Sequence, residues 1–142
     1  RRDIKTTQLL YPSMVKMQAK SQGADDAWLV QDGLVTEGTS NNAFIVTADG
    51  TLVTRPLSND ILHGTTRKAL LACAESMQMK FEERAFTLEE AKSAREAFIS
   101  SASCFAVPVV SIDGMCIGDG KRGPVTARLQ EAYSQAQVEA GI

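Results

Sequence analysis

Residues 42–54, NAFIVTADGTLVT, decide the class of fold. Two runs rich in apolar and β-branched side chains flank the dipeptide DG at 49–50, which is a strong turn signal between paired strands. The same dipeptide stands at 32–33, between AWLVQ and LVT, and again at 113–114. Three hairpin turns of this kind predict a sheet that is largely antiparallel or mixed, and they disfavour a regular strand–helix–strand series.

Helical patterns and further strands surround these hairpins. Gly23 is a stop signal for a first helix, Pro124 suits the first turn of a last one, and Thr87 with Glu90 has the form of a capping box. We expect helices over 14–22, from Thr65 or Thr66 as cap to about 77, from 87 onward, and over 124–137. We expect the remaining strands over 80–86, 97–101 and 105–112, where Pro108 indicates a sheet edge or a bulge.

Length and composition limit the class of protein. A chain of 142 residues with 44% hydrophobic and 23% charged residues is typical of one globular domain over 1–142, of class α/β (α+β), with mostly antiparallel or mixed strands flanked by helices. A net charge of −2 disfavours nucleic-acid binding. Three scattered cysteines and a single histidine predict neither a zinc site nor a disulfide framework and indicate the cytoplasm. No apolar run has the ~20 residues of a membrane span.

Two local motifs are weak. Residues 118–123, GDGKRG, match the dinucleotide fingerprint GxGxxG literally. That fingerprint requires a second parallel strand after its helix, and 19 positions remain after residue 123. We therefore interpret the segment as a glycine-rich turn that enters a helix.

His63 has neither a GxSxG serine nor an evident orienting acid, and we interpret it as a polar loop or pocket residue.

Three other features are ambiguous when taken singly. Thr65 and Thr66, which follow Gly64 at a helix start, could provide free amides and hydroxyls for an anion, but any threonine cap has this form. Glu37 lies in a Gly/Ser/Asn loop between strands, where a carboxylate is usually solvated unless it holds a cation. Lys5 is a surface residue by default, although a buried lysine can form a Schiff base.

The order and spacing of these features together resemble one family. The segments are DIKTT at 3–7, TEGTSNN at 36–42, ILHGTTR at 61–67, and IDG at 112–114 with DG at 119–120. They resemble the fold-type-IV pyridoxal-phosphate enzymes, which comprise D-amino acid aminotransferases, branched-chain aminotransferases and aminodeoxychorismate lyases. The sequence DIKTTQLL at 3–10 is most similar to the D-amino acid (D-alanine) aminotransferases. The resemblance implies the large C-terminal pseudo-barrel domain of that family.

The resemblance implies the chemical roles of two residues. The lysine at the position of Lys5 forms a Schiff base with pyridoxal 5'-phosphate, and it is the base that moves the proton on the substrate Cα. The glutamate at the position of Glu37 pairs with the pyridine nitrogen and keeps the ring a good electron sink.

The resemblance also implies a phosphate site. Thr65 and Thr66 match the family's phosphate cup, Leu62 would pack near the ring, and Ser40 would line the cofactor pocket. The position at which the family usually has another threonine for the phosphate is Ala102 here. That position retains its backbone amide but lacks the hydroxyl, which Ser101 or Ser103 could replace.

The resemblance finally implies substrates and partners. Amino acids and 2-oxo acids are the substrates, of the D-alanine and 2-oxoglutarate type, and the assembly is a homodimer. The family has a small N-terminal domain before the lysine segment, which supplies a phosphate-binding arginine and much of the substrate pocket. We expect that domain to be absent from this chain and to be supplied elsewhere or lost. Branched-chain transamination, the lyase reaction and a non-catalytic half-enzyme remain alternatives.

Overall fold

A computed structural model describes residues 1–141. Its helices are α1 Leu10–Ser21, α2 Thr65–Ser76, α3 Leu88–Lys92 and α4 Pro124–Glu139. Its strands are β1 Trp28–Gln31, β2 Leu34–Gly38, β3 Asn42–Val46, β4 Leu52–Thr54, β5 Phe81–Glu83, β6 Glu96–Ser100, β7 Val107–Pro108, β8 Ser111–Ile112 and β9 Met115–Cys116. None of the helices within 1–141 has the length and apolar character that a membrane crossing requires.

The strands form one mixed sheet and two hairpins. The five-stranded sheet has the order β5-β4-β3-β6-β7, while β1 pairs with β2 and β8 with β9. The pair β4–β5, which α2 connects, is parallel, and the other pairs are antiparallel. The predicted class, α/β (α+β) with mainly antiparallel strands and flanking helices, is confirmed.

Strand β3 lies at the centre of the sheet and is buried along its whole length. Its alternating side chains divide the core in two, as the period of a strand requires. Ala43 and Ile45 pack with Phe86 and Ile117 on one face. Phe44 and Val46 pack on the other face against the residues of α2 and α4 that are buried there, Leu70, Ala74, Val125 and Leu129.

The DG turns are formed as predicted. Asp32 and Gly33 have φ of 53° and 78°, and Asp113 and Gly114 have φ of 51° and 77°. Both central residues of a type I′ turn require positive φ, which asparagine, aspartate and glycine adopt most readily. The turn between β3 and β4 is longer, and only its glycine, Gly50, has positive φ, at 85°.

Several predicted boundaries were wrong. Helix α1 begins at Leu10, before the predicted residue 14. Neither threonine caps α2, because Gly64 is the N-cap residue and Thr65 and Thr66 lie inside the first turn. Strand β5 spans only part of 80–86.

The predicted strand over 105–112 consists of two short strands. Strand β7 pairs with β6 at the edge of the main sheet, and β8 pairs with β9. Between them the backbone N–H of Val109 donates to the carbonyl oxygen of Ala97, while the carbonyl oxygen of Val110 accepts from the N–H of Ile117. The chain therefore changes partner strands at this point. Pro108 lies in the edge strand, as predicted, since proline cannot donate to a further strand.

Candidate active site

Three strand ends and one helix end meet at one side of the main sheet. Glu37 lies near the end of β2, Asn42 begins β3, and Ser100 ends β6 directly opposite Asn42. The side chain of Asn42 reaches the segment before α2, where its Nδ2 donates to the carbonyl oxygen of Leu62 at 3.0 Å. A carboxylate, a helix N-terminus and a strand terminus therefore share this edge.

Glu37 is a buried carboxylate with a defined orientation. Its side chain is 9% exposed, and its Oε2 accepts the backbone N–H of Leu62 at 2.8 Å. Burial raises the pKa of the Glu37 carboxyl, while the N–H of Leu62 and the positive charge of Arg2 lower it. Among residues 1–141, only one oxygen of this buried carboxylate accepts a hydrogen bond. A cationic partner at the other oxygen would therefore stabilise its charged form.

The loop after Glu37 is fixed by a residue that the sequence analysis missed. Asp26 accepts from the hydroxyl of Thr39, from Asn41 Nδ2 at 2.7 Å and from the N–H of Ala27 at 2.8 Å. These bonds hold the loop so that the side chain of Ser40 remains exposed. Only the run of short polar residues at 39–42 indicated such a network, and it did not indicate which acid would organise it.

The N-terminus of α2 is open to an anion. The first N–H groups of a helix have no partner within it, and no side-chain cap satisfies them here among residues 1–141. Thr65 is exposed and Thr66 is buried. A side chain at Gly64 would overlap the Asn42 amide oxygen, so the glycine allows the close approach that ties α2 to β3.

Ser100 provides the test of whether a phosphate fits. Its side chain is 1% exposed, and its Oγ has no hydrogen-bond partner among the described residues. Because side chains alternate along β6, Ser100 lies on the same sheet face as Phe98, which packs on the α2 side. An orphaned buried hydroxyl on the face of an open helix N-terminus is a donor set that suits a phosphate dianion. The residues present therefore fit the phosphate group of the implied cofactor.

Ala102 lies in an exposed turn next to this site. The turn is closed by backbone bonds between Ser101 and Cys104 in both directions, at 2.8 and 3.3 Å. The hydroxyls of Ser101 and Ser103 lie 3.3 Å apart and can pair with each other. The unpaired hydroxyl of Ser100, which the sequence analysis did not select, lies two residues before Ala102.

Lys5 lies in a short N-terminal segment anchored to the same edge. The N–H of Arg2 donates to the carbonyl oxygen of Asn59 at 2.7 Å, and Arg2 Nη1 donates to Thr36 Oγ1 at 3.0 Å. The side chain of Lys5 is exposed. Within residues 1–141 no hydrogen bond or ion pair joins Lys5 to Glu37, and the segment of Lys5 is attached to the strand of Glu37 through Arg2.

The glycine-rich turn before α4 belongs to a different arrangement. Glu96, 5% exposed, accepts the N–H groups of Val125 and Thr126, each at 2.9 Å, and the Thr126 hydroxyl at 3.2 Å. A side chain at Gly123 would overlap Glu96. The helix end that a dinucleotide would need is therefore filled by a carboxylate of the chain itself, which supports the rejection of GxGxxG as a nucleotide motif.

His63 is exposed, and its Nε2 lies 3.1 Å from the carbonyl oxygen of Ser58. The predicted polar loop position is confirmed.

Within 1–141, histidine, cysteine, aspartate and glutamate form no group of three that could hold a metal.

The fold and the edge site define a class of protein. Residues 1–112 match the family model for amino-transferase class IV. The match covers more than half of the chain, and the chain belongs to this family.

The similar proteins are named aminotransferases. The chain is 43% identical to the D-alanine aminotransferase of Bacillus licheniformis over 134 residues, and 42% identical to that of Staphylococcus haemolyticus over 133 residues. Each match covers 94% of this chain and 47% of the relative. The chain thus spans about half the length of the curated relatives it matches.

Solved structures give the same fold. The branched-chain amino acid aminotransferase of Thermobaculum terrenum, in its PLP-form, superimposes with a TM-score of 0.90 at 29% identity, over 95% of this chain and 45% of that one. The branched-chain amino acid aminotransferase of Escherichia coli gives 0.85 at 32% identity, over 89% and 43%.

Proposed function

We propose that this chain is the cofactor-binding part of a pyridoxal-phosphate-dependent enzyme that transfers an amino group between a D-amino acid and a 2-oxo acid, of the D-alanine and 2-oxoglutarate type. The observation that carries the proposal is the juxtaposition of buried Glu37 with an open α2 N-terminus and the orphaned Ser100 hydroxyl. A cation and a phosphate at opposite ends of one ligand would satisfy both.

When bound, pyridoxal phosphate supplies a ring that accepts electrons from the substrate Cα. Glu37 would accept a hydrogen bond from the ring nitrogen and keep that nitrogen protonated. Its carboxylate is already oriented by Leu62 N–H at 2.8 Å, so little ordering is needed on binding. The raised pKa of the carboxyl makes it a stronger acceptor for that proton.

The phosphate end would be held by the chain's own donors. The amides of Thr65 and Thr66 lie at the positive end of the α2 dipole, the Thr66 hydroxyl is in the same turn, and Ser100 Oγ lacks a partner among residues 1–141. Leu62 and Ser40 would border the ring.

Lys5 would attach the cofactor covalently and then serve as the base. When the Lys5 amine is not bonded to the cofactor, it would be the base that moves the proton on the substrate Cα. The exposed position of Lys5 beside the Arg2 anchor suits a side chain that must reach and move.

The rest of the assembly is part of the proposal. Substrate orientation requires a carboxylate clamp, and we assign that clamp, with a phosphate-binding arginine, to the half of the relatives' length that this chain does not span. We assign the working enzyme to a cytoplasmic homodimer. The chain alone would fold but lack efficient turnover.

Two observations keep a second candidate function in view. The two superimposed structures are branched-chain enzymes, with TM-scores of 0.85–0.90, whereas sequence identity is higher to the D-alanine enzymes, at 42–43%. Identity bears more closely on the substrate than fold does, because one fold supports several specificities. Branched-chain transamination is therefore the alternative, and the lyase reaction has no separate support.

Borohydride reduction in the presence of pyridoxal phosphate, followed by peptide mapping, tests the proposal. The pyridoxyl adduct is expected on Lys5, and an adduct on Lys68 or Lys80 would overturn the assignment. The substrate is tested by comparing D-alanine with an L-branched-chain amino acid as donor to 2-oxoglutarate. Turnover by the 142-residue chain equal to that of a full-length homologue, in a sample whose mass excludes a second fragment, would contradict the need for the other half.

A further inference from the structure

We infer that Arg2 is a positioning residue of the candidate active site, which fixes the segment that carries Lys5 against the strand that carries Glu37. The inference rests on the proposed function for its catalytic meaning. The contact between Arg2 and the Glu37 strand stands on the geometry of this chain alone.

Two bonds attach Arg2 to different parts of the site. Its backbone N–H donates to the carbonyl oxygen of Asn59 at 2.7 Å, in the loop that leads to α2. Its Nη1 donates to Thr36 Oγ1 at 3.0 Å, in the strand that carries Glu37. Arg2 therefore bridges the loop that ends at the phosphate side and the strand that ends at the carboxylate side.

The acceptor of the guanidinium is held firmly. Thr36 is 2% exposed, and its hydroxyl donates to the carbonyl oxygen of Leu29 at 3.1 Å. Because that proton is committed to Leu29, the Thr36 oxygen can only accept from Arg2. The side chain of Arg2 is thus directed along β2, one residue before Glu37, by a buried and oriented partner.

The neighbouring arginine shows that the effect is specific to Arg2. Arg1 forms a bidentate pair with Asp3, at 2.9 and 2.7 Å, and its side chain is 66% exposed. Among the described residues Arg2 forms no ion pair within 4.0 Å. The charge of Arg1 is neutralised locally, whereas the charge of Arg2 acts on Glu37, where it opposes the pKa increase caused by burial.

Arg2 also limits where Lys5 can be. Lys5 follows Arg2 by three residues, and the intervening chain is a tight turn in which the N–H of Ile4 donates to the carbonyl oxygen of Arg1 at 3.3 Å. With one end of this turn fixed by two bonds, the lysine reaches only a small region beside β2. Loss of the anchor would leave Lys5 at the end of an untethered segment.

The first measurement needs no cofactor. The Glu37 side-chain carboxyl is titrated by carbon-13 NMR in the full chain and in the Arg2→Met, Arg2→Lys and Arg1→Met variants. Loss of the Arg2 charge is expected to move the Glu37 titration to higher pH, and Arg2→Lys, which keeps a cation, is expected to restore it toward the original value. Arg1→Met removes the same charge from the same segment and is expected to leave the titration unchanged.

The second measurement follows the lysine. The rate at which pyridoxal phosphate and borohydride label Lys5 is expected to fall about threefold or more in Arg2→Met, because the segment is no longer held, and to stay unchanged in Arg1→Met. The total amount of the chain in each sample, measured by mass spectrometry of the intact protein, provides the reference.

The outcomes separate this inference from the proposed function. An unchanged Glu37 titration in Arg2→Met, or an equal shift in Arg1→Met, would overturn the inference even if Lys5 is labelled. Labelling at a residue other than Lys5 would overturn the proposed function while the Glu37 titration still reported the contact with Arg2.

Discussion

The N-termini of α2 and α4 both follow a glycine, but they differ in whether a side chain of the protein satisfies their free N–H groups. Each helix follows a glycine in extended conformation, Gly64 before α2 and Gly123 before α4, and neither glycine offers a side-chain cap. At α4 the carboxylate of Glu96 binds two backbone N–H groups and one hydroxyl. At α2 the chain supplies no acid within residues 1–141, and a buried hydroxyl nearby is also unsatisfied.

This difference separates a structural helix end from a binding one. A helix N-terminus attracts anions through its free amides and its dipole. When a carboxylate of the protein itself accepts those N–H groups, they can no longer bind a ligand. Only an end left open inside otherwise buried surroundings retains the attraction for a ligand. Residues 118–123, which match the dinucleotide fingerprint literally, lead to the filled end, whereas Thr65 and Thr66 lie at the open one.

The largest effect is expected at the filled end. Glu96→Ala removes three hydrogen bonds to a buried carboxylate and leaves the first amides of α4 without partners. We expect a loss of about 3 kcal/mol in the free energy of unfolding, measured by urea denaturation. Glu75→Ala, at an exposed position of α2, is the control, with an expected change of about 0.5 kcal/mol or less. Equal losses in the two variants would mean that the cap at α4 contributes nothing specific.

A substitution can introduce a carboxylate at the N-terminus of α2, which has none of its own within residues 1–141. In Thr65→Glu a carboxylate lies in the first turn of α2, where it stabilises the helix by about 0.5 kcal/mol and competes with a phosphate. We expect the affinity for pyridoxal phosphate, measured by equilibrium dialysis, to fall about tenfold or more because of like-charge repulsion. Thr65→Gln, which is similar in size but neutral, should bind several times more tightly than Thr65→Glu. If the acid does not weaken binding, the phosphate is held elsewhere.

The unpaired Ser100 hydroxyl provides a further test of whether the N-terminus of α2 is a binding site. Ser100→Ala removes an unsatisfied buried polar atom, so the free energy of unfolding without ligand should stay the same or rise by up to about 1 kcal/mol. The same change should weaken pyridoxal phosphate binding about fivefold, since a donor to the phosphate is lost. Ser111→Ala, at an exposed position of β8, should change neither quantity. A loss of stability without ligand would show that Ser100 is a structural residue.

The smallest effect concerns Glu37 and depends on pH. A carboxyl whose pKa is raised in the folded chain makes folding less favourable above its unfolded pKa, and this cost disappears as the pH falls and the group is protonated in both states. Glu37→Gln should therefore raise Tm by about one to two degrees at pH 7 and leave it unchanged near pH 4. Calorimetry at the two pH values measures the difference. A variant that is less stable at pH 7 would show that the carboxylate is well paired without a ligand.

The turns at 32–33 and 113–114 could be predicted from the sequence, because aspartate and glycine readily adopt the positive φ that both central residues of a type I′ turn require. The capping box at Thr87 and Glu90 is also formed: Thr87 Oγ1 accepts from the N–H of Glu90, and the Glu90 carboxylate accepts from the N–H of Thr87. Strand 105–112 was predicted wrongly because its apolar character is continuous while its hydrogen-bonding partners change at Val109 and Val110. A change of partner strand leaves no trace in local composition.

The candidate site could be predicted only where a residue's role follows from its family resemblance. Glu37 and the α2 threonines do lie at one edge, and the roles of Lys5, Ser40, Leu62 and Ala102 remain predictions. The sequence could not indicate Asp26, Arg2 or Ser100, because each of them acts on a segment at least 13 residues away or has no partner at all among residues 1–141. The distinction between a filled and an open helix end likewise depends on Glu96, which is 29 residues from Val125.

The parallel connection from β4 through α2 to β5 has a consequence for the order of folding. The hairpins β1–β2 and β3–β4 close over short turns and can form early, whereas the crossover must close a longer loop before β5 pairs with β4. The N-terminus of α2 reaches its place beside β3 only when that crossover is complete. An anion bound there therefore meets its full set of donors only in late species, and it should slow unfolding rather than accelerate folding. Protection from proteolysis by inorganic phosphate would then appear as a longer lifetime of the folded chain and not as faster recovery from denaturant.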